Sequence, residues 1–367
     1  MEKKLGFGCM RLPMKGEEVD YDEFNKMIDY YMDHGFNYFD TAHGYIGGKS
    51  EKAIRDCLAP RYKREDYVLT NKLTSNYFNK KEDIRPLFES QLELTGVKYF
   101  DYYLLHAISK ENYPKYVKCD AFNEVLKLKE EGLVKHLGIS FHDTADVLDQ
   151  ILTEHPEIEI VQIQFNYIDY EDAGVQSKAC YDICRKHNKP ILVMEPVKGG
   201  GLANLPDKAK EVLDSINKEK NLSYASYAVR FAASQEGMFK VLSGMSNFEQ
   251  LKDNVSYMEN FEPINDEEMI AISKVVAILK ETGGIPCTAC RYCTEGCPMH
   301  ISIPDLFSCY NAKKQFNDWN SSMYYDVHTK EGGKASDCIK CGQCKRVCPQ
   351  HLDIPTLLEE VAKTFEK

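Results

Sequence analysis

Eight short apolar runs, each followed by an amphipathic stretch, recur along the first two thirds of the chain. They read LGFGCM (5–10), NYFDTA (37–42), YVLTNK (67–72), DYYLLH (101–106), HLGIS (136–140), IVQIQF (160–165), ILVMEP (191–196) and KVLSGM (240–245). Runs this short, bounded by turn residues, fit buried parallel strands, while EFNKMIDYYMDHG, FNEVLKLKEEG and YASYAVRFAASQE carry helical spacing. Eight βα units over about 250 residues predict a (β/α)8 TIM barrel; a doubly wound sheet fits a six-strand count better.

In such a barrel the chemistry sits at the C-terminal ends of the strands. Those ends carry Asp40, Lys72 and His106 on the second, third and fourth strands, with Tyr45 in the loop after the second. An acid, a phenol, an amine and an imidazole are thereby aimed at one mouth. A lone polar group at a strand end is most often a satisfied surface group, so the weight lies on their joint order.

Length and charge narrow the class. The 367 residues suffice for one large domain and a small one, and 43% hydrophobic residues is ordinary for a globular protein. The N-terminus lacks the apolar core of a signal peptide and no window is long and apolar enough for a membrane span, which predicts a cytoplasmic protein with no membrane partner. A net charge of −11 without a basic stripe argues against a nucleic-acid partner. Fourteen cysteines in such a chain indicate metal ligands or redox chemistry rather than disulfides.

Eight of those fourteen fall in two runs of the form Cys-x2-Cys-x2-Cys-x3-Cys-Pro: Cys287, Cys290, Cys293, Cys297 and Cys338, Cys341, Cys344, Cys348. Three thiolates on one tight loop cap three irons of a cube, and the fourth iron takes its ligand from elsewhere. The spacing therefore predicts one [4Fe–4S] cluster on Cys287, Cys290, Cys293 and Cys348, and a second on Cys338, Cys341, Cys344 and Cys297. Structural zinc usually shows two separated Cys-x2-Cys knuckles and fits less well. Between the runs, IPDLFSCYNAKKQFNDW has helical spacing, so this tail resembles the helical two-cluster ferredoxin domains carried by larger oxidoreductases.

The barrel part resembles the aldo-keto reductase family, specifically the branch with a C-terminal two-cluster ferredoxin-type domain. The matching pieces are GFGCMR, FDTAHGYIGGKSEKAI, LTNK, YYLLH, LGIS, VQIQFNY, MEPVKGGGL and VLSGMSNFEQLKDN, in family order. The resemblance implies that Asp40, Tyr45, Lys72 and His106 are catalytic in reducing a carbonyl or related substrate. Lys72 would lower the pKa of the Tyr45 phenol, Asp40 would keep Lys72 charged, and His106 would bind the substrate oxygen.

The cofactor positions implied by the resemblance are less regular. Ser140 and Gln162 match the carboxamide contacts, whereas Phe141 replaces an asparagine and Met194 an aromatic ring that would stack on the nicotinamide. Where members that bind NADP place lysine and arginine, this chain has Gly244 and Gln250, leaving Ser246, Asn247 and Asn254 as neutral groups. This weakens NADP specificity and leaves NAD, or no nicotinamide, open. Gly199, Gly200 and Gly201 suit either a backbone approach to a pyrophosphate or a flexible turn.

A hydride carries two electrons and a cluster passes one, so a one-electron carrier such as a flavin, or a radical-forming substrate, must join them; the sequence shows no clear flavin motif. The expected organisation is an aldo-keto reductase-like barrel over 1–262, a connecting helix over 263–284 and a ferredoxin-type domain over 285–367. Two functions fit: an iron–sulfur reductase exchanging electrons with a ferredoxin or flavodoxin, and an electron-transfer or docking protein without reductase activity of its own. A third reading makes the clusters structural or oxygen-sensing. Lys340, Lys345 and Arg346 either face an acidic partner or are solvated surface charge. Cys9 stands out at the end of the first strand; Cys57, Cys119, Cys180, Cys184 and Cys309 read as packing or surface residues.

Overall fold

A computed structural model of the chain describes residues 3–217, 221–281, 284–285, 287, 291–348 and 352–366. All eight expected strands form: β1 (Leu5–Gly8), β2 (Tyr38–Asp40), β3 (Val68–Thr74), β4 (Phe100–Ile108), β5 (Val134–Phe141), β6 (Ile160–Gln164), β7 (Ile191–Met194) and β8 (Met238–Ser243). They pair in parallel in chain order, and β1 closes the sheet by bonding to both β2 and β8. A two-stranded hairpin, Met14–Lys15 with Glu18–Val19, is too short to leave a periodic signal.

The strands are buried on both faces, which is why each reads as a continuous apolar run. Tyr38, Leu104, Ile160 and Leu242, from β2, β4, β6 and β8, form with Leu192 one packed cluster inside the barrel. Layers drawn from alternate strands make such an interior a core rather than a pore. Outside, helices such as Tyr21–Asp33, Ile84–Thr95, Ala121–Glu130 and Phe248–Met258 follow the strands. Asp20 starts the first by accepting a hydrogen bond from the Glu23 amide at 3.2 Å.

By packing, the chain divides into two units. The first comprises Met1–Phe165, Cys180–Pro196 and Ala225–Ile264; the second comprises Asn166–Ala179, Val197–Tyr224 and Asn265–Lys367. The segments that follow β6 and β7 thus belong with the tail. In the second unit, helices Ile303–Phe316 and Ile354–Phe365 bury Leu306, Phe307, Leu358 and Val361 in a core that includes Val175 from the segment after β6. The helix Asp266–Glu281 packs on Asp207–Ile216 within this unit.

The second unit is held by a buried charge cluster. Lys198, 2% exposed, contacts Asp169 at 2.6 Å and Asp318 at 3.2 Å, joining both barrel-derived segments to the tail. Burial opposes the ammonium, but Asp169 and Asp318 outweigh it and hold its pKa up. Ser308 donates to Asp172 at 2.6 Å, and the Phe316 ring lies where a Cβ on Gly201 would stand, 2.6 Å away. No helix among the described residues is long and apolar enough to cross a membrane.

Lys198→Ala strands two buried carboxylates, so it is expected to cost the second unit on the order of 3–5 kcal/mol. Urea unfolding followed by tail absorbance checks this; a loss below about 1 kcal/mol, the scale of a surface ion pair, would show that the cluster does not hold the unit.

Candidate active site and cluster ligands

The three strand-end side chains and Tyr45 of the loop after β2 meet at the C-terminal face of β2–β4. Lys72, fully buried, donates from Nζ to Asp40 Oδ1 at 2.6 Å, to the Thr41 carbonyl at 2.8 Å and to Tyr45 Oη at 3.3 Å. The Tyr45 and His106 rings lie edge to face, 5.9 Å apart. His106 Nδ1 is 2.7 Å from Thr74 Oγ1, and these two residues are register partners on β3 and β4. Thr74 was invisible to sequence reading because its role follows from strand register alone.

Electrostatics refine the expected acid–base chemistry. Burial pushes the Tyr45 phenol up; Lys72 pulls it down, but Asp40 adds to the rise and the net shift is upward. The expectation of a lowered phenol pKa is thus corrected: desolvation outweighs the ammonium. Burial also works against Lys72, yet Asp40 and Tyr45 outweigh it and keep the amine protonated. Burial, then Lys72 and His142, push His106 well below the ordinary imidazole range. His142, which follows Phe141 at the end of β5, is 7% exposed and is pushed down to about 4 by burial and Lys72. Cys9 is fully buried and burial raises its thiol pKa, the opposite of a reactive thiolate.

The expected cofactor contacts fall into three groups. Ser140 and Gln162 are register partners on β5 and β6, 1% and 2% exposed, and their side chains make no hydrogen bond to described residues. Neither side chain is committed to a described partner, which leaves the pair available to a ligand. Met194 ends β7, half-buried. After β8, Asn247 caps the helix Phe248–Met258 by accepting from the Gln250 amide at 2.9 Å, Gln250 Oε1 accepts from the Ser246 amide at 2.8 Å, and Asn254 donates to the Gln250 carbonyl at 2.8 Å. The Asn254 side-chain oxygen, Oδ1, is buried without a partner. Gly199 and Gly200 lie at φ 64° and 99° in the turn Lys198–Ala203 of the second unit.

In the tail, Cys297 gathers with Cys338, Cys341 and Cys344 around one cavity, closed by Met299, Ile301 and Leu358. The fourth cysteine of the first run thus joins three of the second. No three His, Cys, Asp or Glu donors among the described residues converge as ligands of a single ion do. A cubane spreads its ligands over four irons, so thiolates around a cavity fit it better than they fit zinc. Cys287, Cys293 and Cys348 pack against the same hydrophobic core, and Cys290 lies outside the described residues. Lys340 pairs with Glu359, and Lys345 with Asp353 at 3.2 Å, so much of the basic cluster is neutralised within the tail.

The sequence profile of the Aldo/keto reductase family matches residues 4–277. The chain belongs to the aldo/keto reductase family. Residues 286–353 of this aldo/keto reductase match the 4Fe-4S dicluster domain. It is 25% identical over 261 residues to an uncharacterized oxidoreductase of Schizosaccharomyces pombe, covering 69% of this chain and 80% of that one. With the NADH-specific methylglyoxal reductase of Escherichia coli it shares 24% over 265 residues, 60% of this chain and 78% of the other. A solved aldo-keto reductase from Klebsiella pneumoniae, in complex with NADPH, has the same fold at a TM-score of 0.61 and 18% identity, over 74% of this chain and 90% of that one. The chain is an oxidoreductase with an iron–sulfur domain joined to its barrel.

With both imidazoles held below the usual range, the ring resonances of His106 and His142 are expected to stay neutral from pH 8 to pH 5. The unfolded chain binds these protons near pH ~6.5, so their contribution to stability is complete above that value and falls as pH drops toward 4. Histidine-selective NMR across this range decides it; a midpoint above pH ~6 for either ring would contradict the burial argument.

Proposed function

We propose that the barrel reduces a carbonyl or related organic substrate, and that two [4Fe–4S] clusters in the tail exchange single electrons with a small redox protein such as a ferredoxin or flavodoxin. The observation that carries this reading is the buried Lys72, bonded to Asp40 at 2.6 Å and to Tyr45 Oη at 3.3 Å. A bound nicotinamide supplies a hydride to the carbonyl carbon. Tyr45 delivers the proton to the carbonyl oxygen, giving the alcohol, and recovers it from solvent. Burial keeps that proton on the phenol until charge develops on the substrate; Lys72 then stabilises the phenolate left behind. If the Thr74 hydroxyl donates to His106 Nδ1, the neutral ring keeps Nε2–H as a donor for the same oxygen.

Ser140 and Gln162 would hold the carboxamide and Met194 would cover the ring, while Ser246, Asn247, Gln250 and Asn254 would lie along the adenosine half. Gly199 and Gly200 are assigned to the pyrophosphate. The Klebsiella relative's NADPH and the Escherichia relative's NADH specificity support a nicotinamide here. Cys287, Cys290, Cys293 and Cys348 would hold one cluster, and Cys338, Cys341, Cys344 and Cys297 the other. Cys341 and Ile339 line the cavity of the second of these clusters and are exposed, which favours that cluster as the partner's point of contact. A flavin or a radical-forming substrate is the carrier this scheme requires between hydride and clusters.

Tyr45→Phe is expected to lower NAD(P)H-dependent reduction of a panel of small aldehydes by roughly 10²–10⁴-fold, with iron content and the dithionite-reduced paramagnetic signal unchanged. Full activity in that variant would remove Tyr45 as the proton donor, and no such reduction by the wild type would favour a docking protein whose barrel has no reductase chemistry of its own. For the crossed ligation, Cys297→Ser should disturb the same cluster signal as Cys344→Ser, and Cys348→Ser the other. If Cys297→Ser and Cys293→Ser disturb the same cluster, each run binds its own.

A further inference from the structure

Directly after Tyr45 the chain makes a turn that its sequence does not favour. Ile46, Gly47 and Gly48 all lie at positive φ, at 53°, 62° and 84°. Glycine takes that region freely, but a β-branched residue such as Ile46 enters it only at a cost. Strain of this kind persists where the surroundings over-determine it, and here it falls on the residue bonded to the Tyr45 backbone. Some contact must hold the turn closed.

The short helix Lys49–Ala53 that follows supplies one. Glu51, fully buried, reaches back across the turn and places Oε2 2.8 Å from His43 Nδ1, two residues before Tyr45. Its other oxygen, Oε1, accepts from Asn71 Nδ2 at 2.8 Å, one residue before Lys72 on β3. The Asn71 amide can point only one way, because its Oδ1 accepts from the Lys72 amide at 2.8 Å and from Gln91 Nε2 at 3.2 Å. Gln91 in turn donates to the Lys72 carbonyl at 3.0 Å and accepts from the Tyr103 hydroxyl. Beside Glu51, Ser50 Oγ lies 2.7 Å from Thr41 Oγ1, and the Thr41 carbonyl is an acceptor of Lys72 Nζ. One carboxylate thus bridges the loop that carries Tyr45 and the strand that carries Lys72.

We infer that Glu51 is a positioning residue for proton delivery: it closes the strained turn through His43, fastens the strand of Lys72 through Asn71, and so sets the 3.3 Å contact between Lys72 Nζ and Tyr45 Oη. This rests on the proposal that Tyr45 gives its proton to a carbonyl substrate. Without the carboxylate, His43 and Asn71 lose their common partner, and Ile46 relaxes toward negative φ. That relaxation carries the phenol away from the ammonium that stabilises its charged form. A misplacement of about 1 Å at such a contact costs on the order of 10²-fold in rate.

Steady-state reduction of the aldehyde panel by the full chain, measured beside iron content and thermal unfolding, tests this. Glu51→Ala is expected to lower kcat by roughly 10–100-fold while KM for the aldehyde stays within about threefold. In a Tyr45→Phe background the same change should cost less than about twofold more, because the contact it protects is already gone. Glu51→Gln keeps the length of the side chain, and its carbonyl can accept from Asn71 while its amide faces His43 Nδ1, so it should restore most of the loss. Ile46→Gly takes the same φ without strain and should recover part of the activity missing in Glu51→Ala. His43→Ala breaks the bridge from its partly exposed end and carries the test if Glu51→Ala does not fold. Wild-type kcat in the bridge-breaking variant, or a loss that multiplies in full with that of Tyr45→Phe, overturns the assignment and leaves the reductase reading standing. If the wild type reduces no aldehyde with either NADH or NADPH, the reductase reading fails and the role of Glu51 with it.

Discussion

A sheet that closes on itself decides where every strand must end. With β1 bonded to both β2 and β8, no edge is left free, and parallel order sends all eight C-terminal ends to one face. Asp40, Lys72 and His106 arrive there from three successive strands. An ammonium at that depth stays charged only if oxygen acceptors replace its water, and Asp40 with the Thr41 carbonyl does so. The Tyr45 phenol, half-buried in the loop after β2, answers to the same ion pair: desolvation raises its pKa, Lys72 opposes the rise and Asp40 adds to it.

The barrel was legible because buried parallel strands read as short apolar runs, and the rule that chemistry lies at their C-terminal ends picked out Asp40, Lys72 and His106 without coordinates. Thr74 and His142 were not legible in this way. The contact of Thr74 with His106 follows from the register of β3 on β4, and the proximity of His142 from the neighbouring strand β5. The direction of the Tyr45 shift also escaped, since spacing shows that Lys72 is near but not how far burial opposes it.

The second unit shows what an alternation pattern does not encode. Apolar periodicity places the segments after β6 and β7 between barrel elements, yet Asp169 and Lys198 from those segments share buried charge with Asp318 of the tail. Lys198 sits at φ 47°, which an L-residue adopts at a cost, and its two carboxylates are what hold it there. The glycines beside it divide the work: Gly201 admits the Phe316 ring, whereas Gly200 has open space around the position of a Cβ. Three consecutive glycines therefore serve tail packing in one case and a free backbone surface in another.

The proposed chemistry joins carriers that move electrons in different parcels. A hydride takes two electrons to carbon at once and calls for a proton at oxygen, which is what the phenol beside Lys72 is arranged to give. A cluster moves one electron and no proton. A pure relay has no use for a buried acid, and assembling one has a desolvation cost that an apolar strand end would avoid. The arrangement of Asp40, Lys72 and Tyr45 thus favours proton-coupled, two-electron chemistry in the barrel. In the proposed scheme, electrons entering singly through the cysteine-lined cavity of the tail would have to be paired before they reach carbon, and that pairing step is what a flavin or a radical-forming substrate would supply.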